Sequence, residues 1–317
     1  MVVGKKGLPQ MAIRTATQQV KTKTKIRERG FDLVFIIFIY VILSLILVTL
    51  LYPLIFVLSA SISDPSAIMA GKVVLFPVGF TLKAYQAVAN YPKIWVGFSN
   101  SLFYTIVGTL VNLVVTILAG YALSRKDLVG RNYFIFLFAF TMLFNGGIVP
   151  TYLVVNQLRL INTRWALIIP QALSVWNLII TITYFRTSIP VELLEAAQLD
   201  GCSDFQYLAR VVLPLSAPIV AVLALFYAIG HWNEYFSALL YLNKPALYPL
   251  QIILRTILVQ NQVDFTMIDV RSYQAIQGMR ELLKYALIVV SSVPVLIIYP
   301  FVQKYFVKGI MIGALKG

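Results

Sequence analysis

Four carboxylates, Glu192, Glu195, Asp200 and Asp204, fall in one short stretch of a chain that carries 26 Lys and Arg against 12 Asp and Glu. Such a patch can do one kind of chemistry, the recognition of a basic surface, because the chain lacks the partners that catalysis would need. With one His and one Cys in 317 residues, no Ser-His-Asp, paired-carboxylate or His-metal arrangement can be assembled. Cys202 alone excludes an intramolecular disulfide, a Cys-based zinc site and an iron–sulfur cluster, and it fits a reducing compartment. No G-x-x-x-x-G-K-[ST] phosphate loop occurs, so any ATP must be hydrolysed by another chain.

Two short helices are predicted to hold the carboxylates. Pro190 suits a helix N-terminus, and Glu192 and Glu195 follow in the first turns, where negative charge complements the helix dipole. Ala196 and Ala197 extend a strong helix former. Gly201 can take a positive φ or allow close backbone approach, which suits a turn. Phe205, Tyr207, Leu208 and Val211 then form an amphipathic stretch into Leu213-Pro214. The bland reading of this segment is an ordinary helix–turn–helix connector.

What the segment connects follows from composition. Hydrophobic residues make up 60% of the chain, charged ones 12%, and the mean hydropathy is +0.84, far beyond what one soluble core needs. A hydrocarbon layer roughly 30 Å thick takes about 20 apolar residues as a helix. Six uncharged windows meet that length: 33–63, 94–124, 132–158, 165–185, 211–233 and 285–303. Their continuous apolar character excludes a membrane β-barrel, whose strands would alternate in polarity. The expectation is an all-α integral membrane protein of six transmembrane helices.

Lysine and arginine set the orientation. Eight basic residues precede Phe31, three lie in Arg125–Arg131, Arg186 and Arg210 flank the acidic segment, and three follow Gln303. The other ten are spread over longer loops. The basic N-terminus beside the first span favours an inside location, so both termini are predicted to be cytoplasmic. The apolar run after the basic tail is too long for a signal-peptide core and is read as a retained span. The net charge of +14 is distributed around membrane spans rather than along a groove-sized face. Anchoring to anionic membrane lipid explains it better than nucleic acid, which is not expected as a partner.

Two places inside the spans could line a path. The third window is interrupted at Asn145-Gly146-Gly147, thirteen residues beyond Asn132, or roughly 20 Å across the bilayer at helical rise. Backbone groups freed at that depth need protein or a water-filled cavity; a packed Pro kink at Pro150 is the equal alternative. The fifth window ends in His231-Trp232-Asn233-Glu234. If its helix begins near Ser216, Glu234 lies about 27 Å across, close to the outer surface. An interfacial cap is favoured there over a proton relay. His231 is read first as a satisfied bundle histidine, and otherwise as a contact for sugar hydroxyls.

The order E-A-A, three residues, G, nine residues, then Val211-Val212-Leu213-Pro214 resembles the docking loop of bacterial ATP-driven importers, with Val211 standing where isoleucine is usual. From about Asn100 to Gly317 the chain is similar to the carbohydrate branch of binding-protein-dependent importers. It looks like their second permease subunit, similar to the smaller maltose permease and nearer still to those for complex or pectin-type oligosaccharides. That likeness includes Tyr299-Pro300-Phe301-Val302-Gln303 and the final Gly313-Ala314-Leu315-Lys316-Gly317.

The resemblance implies a type I ABC importer permease in a bacterial cytoplasmic membrane. It implies half of a sugar or oligosaccharide pathway, no cofactor in this chain, and ATP and Mg on the partner. The implied partners are a homologous second permease, a dimeric ATPase and an extracellular sugar-binding protein. Implied ATPase-docking residues are Glu195, Ala196, Ala197, Asp200, Gly201, Asp204, Lys316 and Gly317. The loop from Tyr241 to Glu281 would touch the binding protein; from its sequence, 249–258 suits a short helix on the membrane surface. Residues 1–31 would be a tail, 32–306 the permease domain with its loop at 186–215, and 307–317 a second tail. Candidate path residues are Asn145, Gly146, Gly147, His231 and Asn233. The alternatives are an ion-coupled secondary transporter, which should carry ionisable residues at mid-membrane, and a non-transporting scaffold.

Overall fold

The computed structural model describes residues 30–259, 281–300 and 303, and among these there are helices and turns but no strand. The basic N-terminal tail, most of the loop before the last span, and the C-terminal tail with Lys316 and Gly317 lie outside the described residues. The chain divides into two units, residues 1–51 and 52–317. Helix α1 (Gly30–Ser61) begins in the first unit and ends in the second. Most of its residues in the first unit, among them Leu33, Phe35, Ile39 and Val48, are apolar and exposed. A helix apolar all round has no water-facing side and calls for lipid or another chain.

The second unit continues with α2 (Pro65–Met69), α3 (Lys83–Ala89), α4 (Pro92–Ser124), α5 (Arg131–Leu143), α6 (Ile148–Gln157), α7 (Val175–Ser188), α8 (Val191–Leu199), α9 (Asp204–Tyr207), α10 (Leu213–Leu215), α11 (Ala217–Trp232), α12 (Phe236–Tyr241) and α13 (Leu250–Val259). Helix α14 runs from Glu281 to Pro300. By length and composition α1, α4 and α14 could each cross a membrane, and three bent pairs could add three further spans. The bends are 116° between α5 and α6, 48° at the entry to α7, and 84° at the entry to α11.

Helix α4 is the hub against which α7, α11 and α13 pack. Its inward face carries Gly97, Ser101, Thr105, Gly108, Asn112, Thr116 and Gly120, all buried. Without a hydrophobic drive between helices in lipid, close backbone approach on small residues supplies the contact. A Cβ at Gly120 would stand 2.6 Å from Thr181 Cγ2, and one at Gly108 would enter the His231 ring.

Helix α13 uses the same hub. Leu250, Ile252 and Leu254 are buried, Leu250 N–H donates to Ser101 Oγ at 2.8 Å, and Asn100 Nδ2 donates to the carbonyls of Ala246 and Tyr248. The short helix expected on the membrane surface is therefore packed into the bundle, because Gly97 and the polar side chains of α4 leave room and partners for its backbone. Of the loop from Tyr241 to Glu281 that the resemblance assigns to the binding protein, residues 260–280 fall outside the described residues.

The sharpest bend has a local cause. Asn145 Oδ1 accepts the Gly147 N–H at 2.9 Å, and Gly147 sits at φ +86°, a region a residue with a Cβ rarely adopts. Pro150 lies inside α6 rather than at the break, and residues 141–150 are exposed. A Pro kink packed against neighbours therefore does not describe this turn.

Candidate functional site

The acidic segment folds as two short helices meeting at an elbow. Pro190 is the extended residue before α8, and Glu192 sits in its first turn. At the other end Gly201 adopts φ +74°. Its N–H donates to the Gln198 carbonyl at 3.0 Å, while Cys202 N–H donates to Ala197 at 2.9 Å. This glycine-terminated cap satisfies carbonyls that α8 would otherwise leave orphaned. Helix α9 restarts with a capping box, in which Ser203 Oγ accepts from Gln206 N–H and Gln206 Oε1 accepts from Ser203 N–H. The helix then widens into one π turn over Leu208–Val212 before Pro214. A wider turn spares the clash between a proline ring and the carbonyl four residues back.

One side of the elbow is anchored. Leu194, Ala197 and Cys202 pack against a core of Ile117, Phe185, Tyr207, Leu208, Val212 and Leu223. The other side is open. Glu195, Ala196, Asp200 and Gly201 are exposed, and Leu199 and Phe205 are 90% and 72% exposed on either side of the glycine. Two large apolar side chains held in solvent beside four carboxylates form a surface suited to a partner.

Of the residues expected to dock, Ala197 instead turns into the bundle and Asp204 points back to the α4–α5 turn. Asp204 Oδ1 accepts from Arg125 Nη1 at 2.6 Å. Arg125 also grips Asp127 through two parallel bonds of 2.8 and 2.6 Å. That pairing holds the Asp127 carboxyl down to about 2 and raises the Arg125 guanidinium above its ordinary value. Tyr121 hydroxyl accepts from Arg125 at 3.0 Å, and Arg186 Nη2 donates to the Leu123 carbonyl at 2.9 Å. The elbow is thus tied to the ends of α4 and α7. A cavity of about 430 Å³ lies between the α4–α5 turn and α8.

A second polar region lies inside the bundle, where α11 crosses α4. His231 is 4% exposed and its Nε2 meets Asn112 Oδ1 at 2.6 Å. Asn112 Nδ2 donates to the Gln171 carbonyl. Gln171 Nε2 donates to Glu234 Oε2 and to Ser237 Oγ, each at 2.9 Å. Tyr227 and Thr116 hydroxyls meet at 2.7 Å, and the Ser174 N–H donates to Tyr227 at 3.3 Å. A cavity of about 390 Å³ opens against this network, lined by Gln171, Ser174, Asn177, Tyr227 and His231 among others.

The histidine is a satisfied bundle residue, as first read, and it also borders a cavity. Glu234 lies just past Asn233, the C-cap of α11, and its Oε1 accepts from the Ser237 N–H at 2.8 Å at the start of α12; Asn233 is exposed. The Asn145–Gly147 break shares no hydrogen bond with either His231 or Asn233 among the described residues. Sequence reading missed Leu199 at the elbow and Asn112, Gln171 and Tyr227 in the interior. The one available signal was Asn112, an amide in the middle of an uncharged window.

Known proteins agree with this architecture. Residues 112–312 match the family described as binding-protein-dependent transport system inner membrane component. The chain is 40% identical over 292 residues to the polygalacturonan/rhamnogalacturonan transport system permease protein YtcP of Bacillus subtilis (strain 168), covering 92% of this chain and 100% of that protein. It is 41% identical over 265 residues to protein LplC of the same organism, covering 84% and 89% respectively. Among solved structures it superposes with TM-score 0.81 and 36% identity on a chain of a bacterial ABC transporter involved in the import of the acidic polysaccharide alginate, covering 88% of this chain and 98% of that one.

Proposed function

The chain belongs to the binding-protein-dependent transport system inner membrane components, and from that premise we propose that it forms half of an oligosaccharide pathway driven through its acidic elbow. It is the permease subunit of an ABC importer and is not itself catalytic. The oligosaccharide class rests on the substrates of similar proteins, polygalacturonan and rhamnogalacturonan for one and alginate for another. In this reading α1, α4 and α14 cross singly, each bent pair counts as one further crossing, and both termini are cytoplasmic. A homologous permease completes the path, a dimeric ATPase binds ATP and Mg inside, and a sugar-binding protein delivers substrate outside.

The carrying observation is the elbow itself, with Glu195, Leu199 and Phe205 exposed around Gly201 while Ala197 and Cys202 anchor it. A partner cleft that closes on the exposed side moves α8 and α9 as one body. The Asp204–Arg125 tie carries that movement to the end of α4, and the π turn carries it through the 84° bend into α11. Helix α11 bears Tyr227 and His231 on the interior cavity. Rocking of packed helices about such a site alternates access to it.

An ion-coupled carrier fits less well. The interior His231 is held by an amide, and Glu234 is held by Gln171 and a backbone N–H. Glu195→Arg in the assembled complex tests the docking reading. The resemblance implies an arginine of the ATPase against Glu195, and losing one partner of such a contact buried in the complex costs about 3 to 5 kcal/mol, so substrate-stimulated ATPase should collapse while insertion and melting temperature hold. Undiminished ATPase and uptake would remove the role.

A further inference from the structure

The cavity beside the elbow has a charge pattern that docking does not use. Its walls carry four cations, Arg125, Lys126, Arg131 and Arg186, and two carboxylates, Asp127 and Glu195. Arg125 is already satisfied by Asp127 and Asp204. Arg131 and Arg186 are not. Arg131 donates only to the Arg125 carbonyl at 3.3 Å and weakly to Asn132 Oδ1 at 3.4 Å, and Arg186 donates to the Leu123 carbonyl. Among the described residues no carboxylate lies within ion-pair distance of Lys126, Arg131 or Arg186.

We infer that this cavity binds a phosphate-bearing group between Arg131 and Arg186, with Lys126 at its mouth. A guanidinium fork matches phosphate oxygens bidentately, and two like-charged guanidiniums lining one cavity are both served by one shared anion. Two sources share this chemistry, an anionic phospholipid headgroup and free phosphate.

The surroundings favour the lipid. The walls are the C-terminal end of α4, the N-terminal end of α5 and the C-terminal end of α7, three helices of the proposed crossings. Beside the cations Val129 is 90% exposed, and Tyr133, Phe134, Phe136 and Phe140 of α5 are exposed with no residue of that helix buried. Basic side chains at a helix end above an exposed aromatic face suit a headgroup and its acyl chain. The opposite wall is α8, so the bound phosphate neutralises the guanidinium pair and leaves Glu195 without an ion-pair partner in this chain, free for the ATPase. The headgroup's leaflet depends on the orientation proposed above; the cation pair does not.

The test uses the full chain purified with its partner subunits in detergent without nucleotide. Native mass spectrometry is used to count retained phosphatidylglycerol or phosphatidylcholine of equal chain length. The wild type should retain the anionic lipid in excess, and Arg131→Gln/Arg186→Gln should lower that retention about tenfold. Lys244→Gln, distant and exposed, should change nothing, and Arg131→Lys/Arg186→Lys should restore part of the binding if the glutamine pair weakens folding. Displacement of the lipid by millimolar inorganic phosphate, lost in the glutamine pair, would assign the site to free phosphate. Equal retention of both lipids, or equal retention by wild type and the glutamine pair, overturns the site. A failed docking reading would show in ATPase measurements with Glu195→Arg and leave lipid retention untouched, so the two failures are separable.

Discussion

The elbow at residues 190–214 and the network around His231 are both polar regions of an apolar chain, yet they use their polar groups in opposite ways. At His231 each polar group meets another inside the chain: histidine to Asn112, Asn112 to Gln171, Gln171 to Glu234, Tyr227 to Thr116. Of the four carboxylates at the elbow only Asp204 is paired inside the chain among the described residues, and Glu192, Glu195 and Asp200 stand exposed beside Leu199 and Phe205. A buried polar group without a partner costs free energy, so the interior had to close on itself. An exposed group faces no such demand. Incomplete bonding at the elbow is therefore a sign of a partner, and the closed network at His231 is a sign of a fixed frame around a cavity, although Thr105 and Thr109 Oγ1 on α4 are buried without a hydrogen-bond partner among the described residues.

The largest effect should come from breaking the frame. In Gly108→Val a Cβ would stand 2.7 Å from His231 Cδ2, and neither the ring, held to Asn112, nor the α4 backbone can give way. Overpacking of this kind costs about 1 to 3 kcal/mol or more, so the purified complex should melt several degrees lower and uptake should fall with it. A variant with wild-type melting would show that α4 and α11 are not locked at this crossing. Glu195→Arg should separate the two regions from the other side, losing coupling without losing the melt.

A smaller effect should follow from cutting the tie between elbow and bundle. Arg125→Gln removes the anchor of both Asp127 and Asp204. Because the two carboxylates are 65% and 70% exposed, solvent screening limits each pair to about 1 kcal/mol or less. Folding should barely change, while the ratio of ATP hydrolysed to substrate moved should rise roughly two- to fivefold, as expected for a coupling element worth about 0.5 to 1 kcal/mol. An unchanged ratio would mean that the elbow moves the spans by the π turn alone.

The smallest effect is in pH. Asp127 is held at about 2 against 3.8 for a free carboxyl. The folded value is the lower one, so its contribution is fully present above pH about 3.8 and is lost as pH falls through about 2. Acid melting of the wild type should be slightly steeper in that window than that of Asp127→Asn. Parallel curves would show that the Arg125 pairing carries no stability.

Legibility from sequence differed between the two regions for a physical reason. The elbow is local: Pro190, Gly201 and the nine residues to Val211 specify helix, turn and helix by short-range rules, and the structure has those elements at those positions. Which side of α8 is anchored is not local: Ala197, one of the implied docking residues, is half-buried against the bundle, and no spacing rule marks Leu199 as exposed. The apolar windows marked the helices, and the Asn145-Gly146-Gly147 interruption marked the 116° bend, whereas the bends of 48° and 84° leave no trace in hydropathy. The interior network joins Asn112, Gln171, Tyr227 and His231 across separations of 59 to 119 residues, as in the Asn112–Gln171 and His231–Asn112 bonds. No spacing rule reports such pairs. Helix α13 was read from its amphipathicity as a surface element, when the small residues of α4 give that apolar face a protein partner.

The central claim is that the exposed side of the elbow contacts an ATP-hydrolysing subunit on the cytoplasmic face. Cys202 is the only native cysteine, so Phe205→Cys in a Cys202→Ser background gives one thiol at the exposed position. In membranes holding the assembled complex, a short bifunctional crosslinker should join residue 205 to the ATPase subunit, with a yield that changes on adding ATP. An impermeant maleimide applied from outside intact cells should leave it unlabelled. Labelling from outside, with no crosslink to any ATPase, would contradict the account.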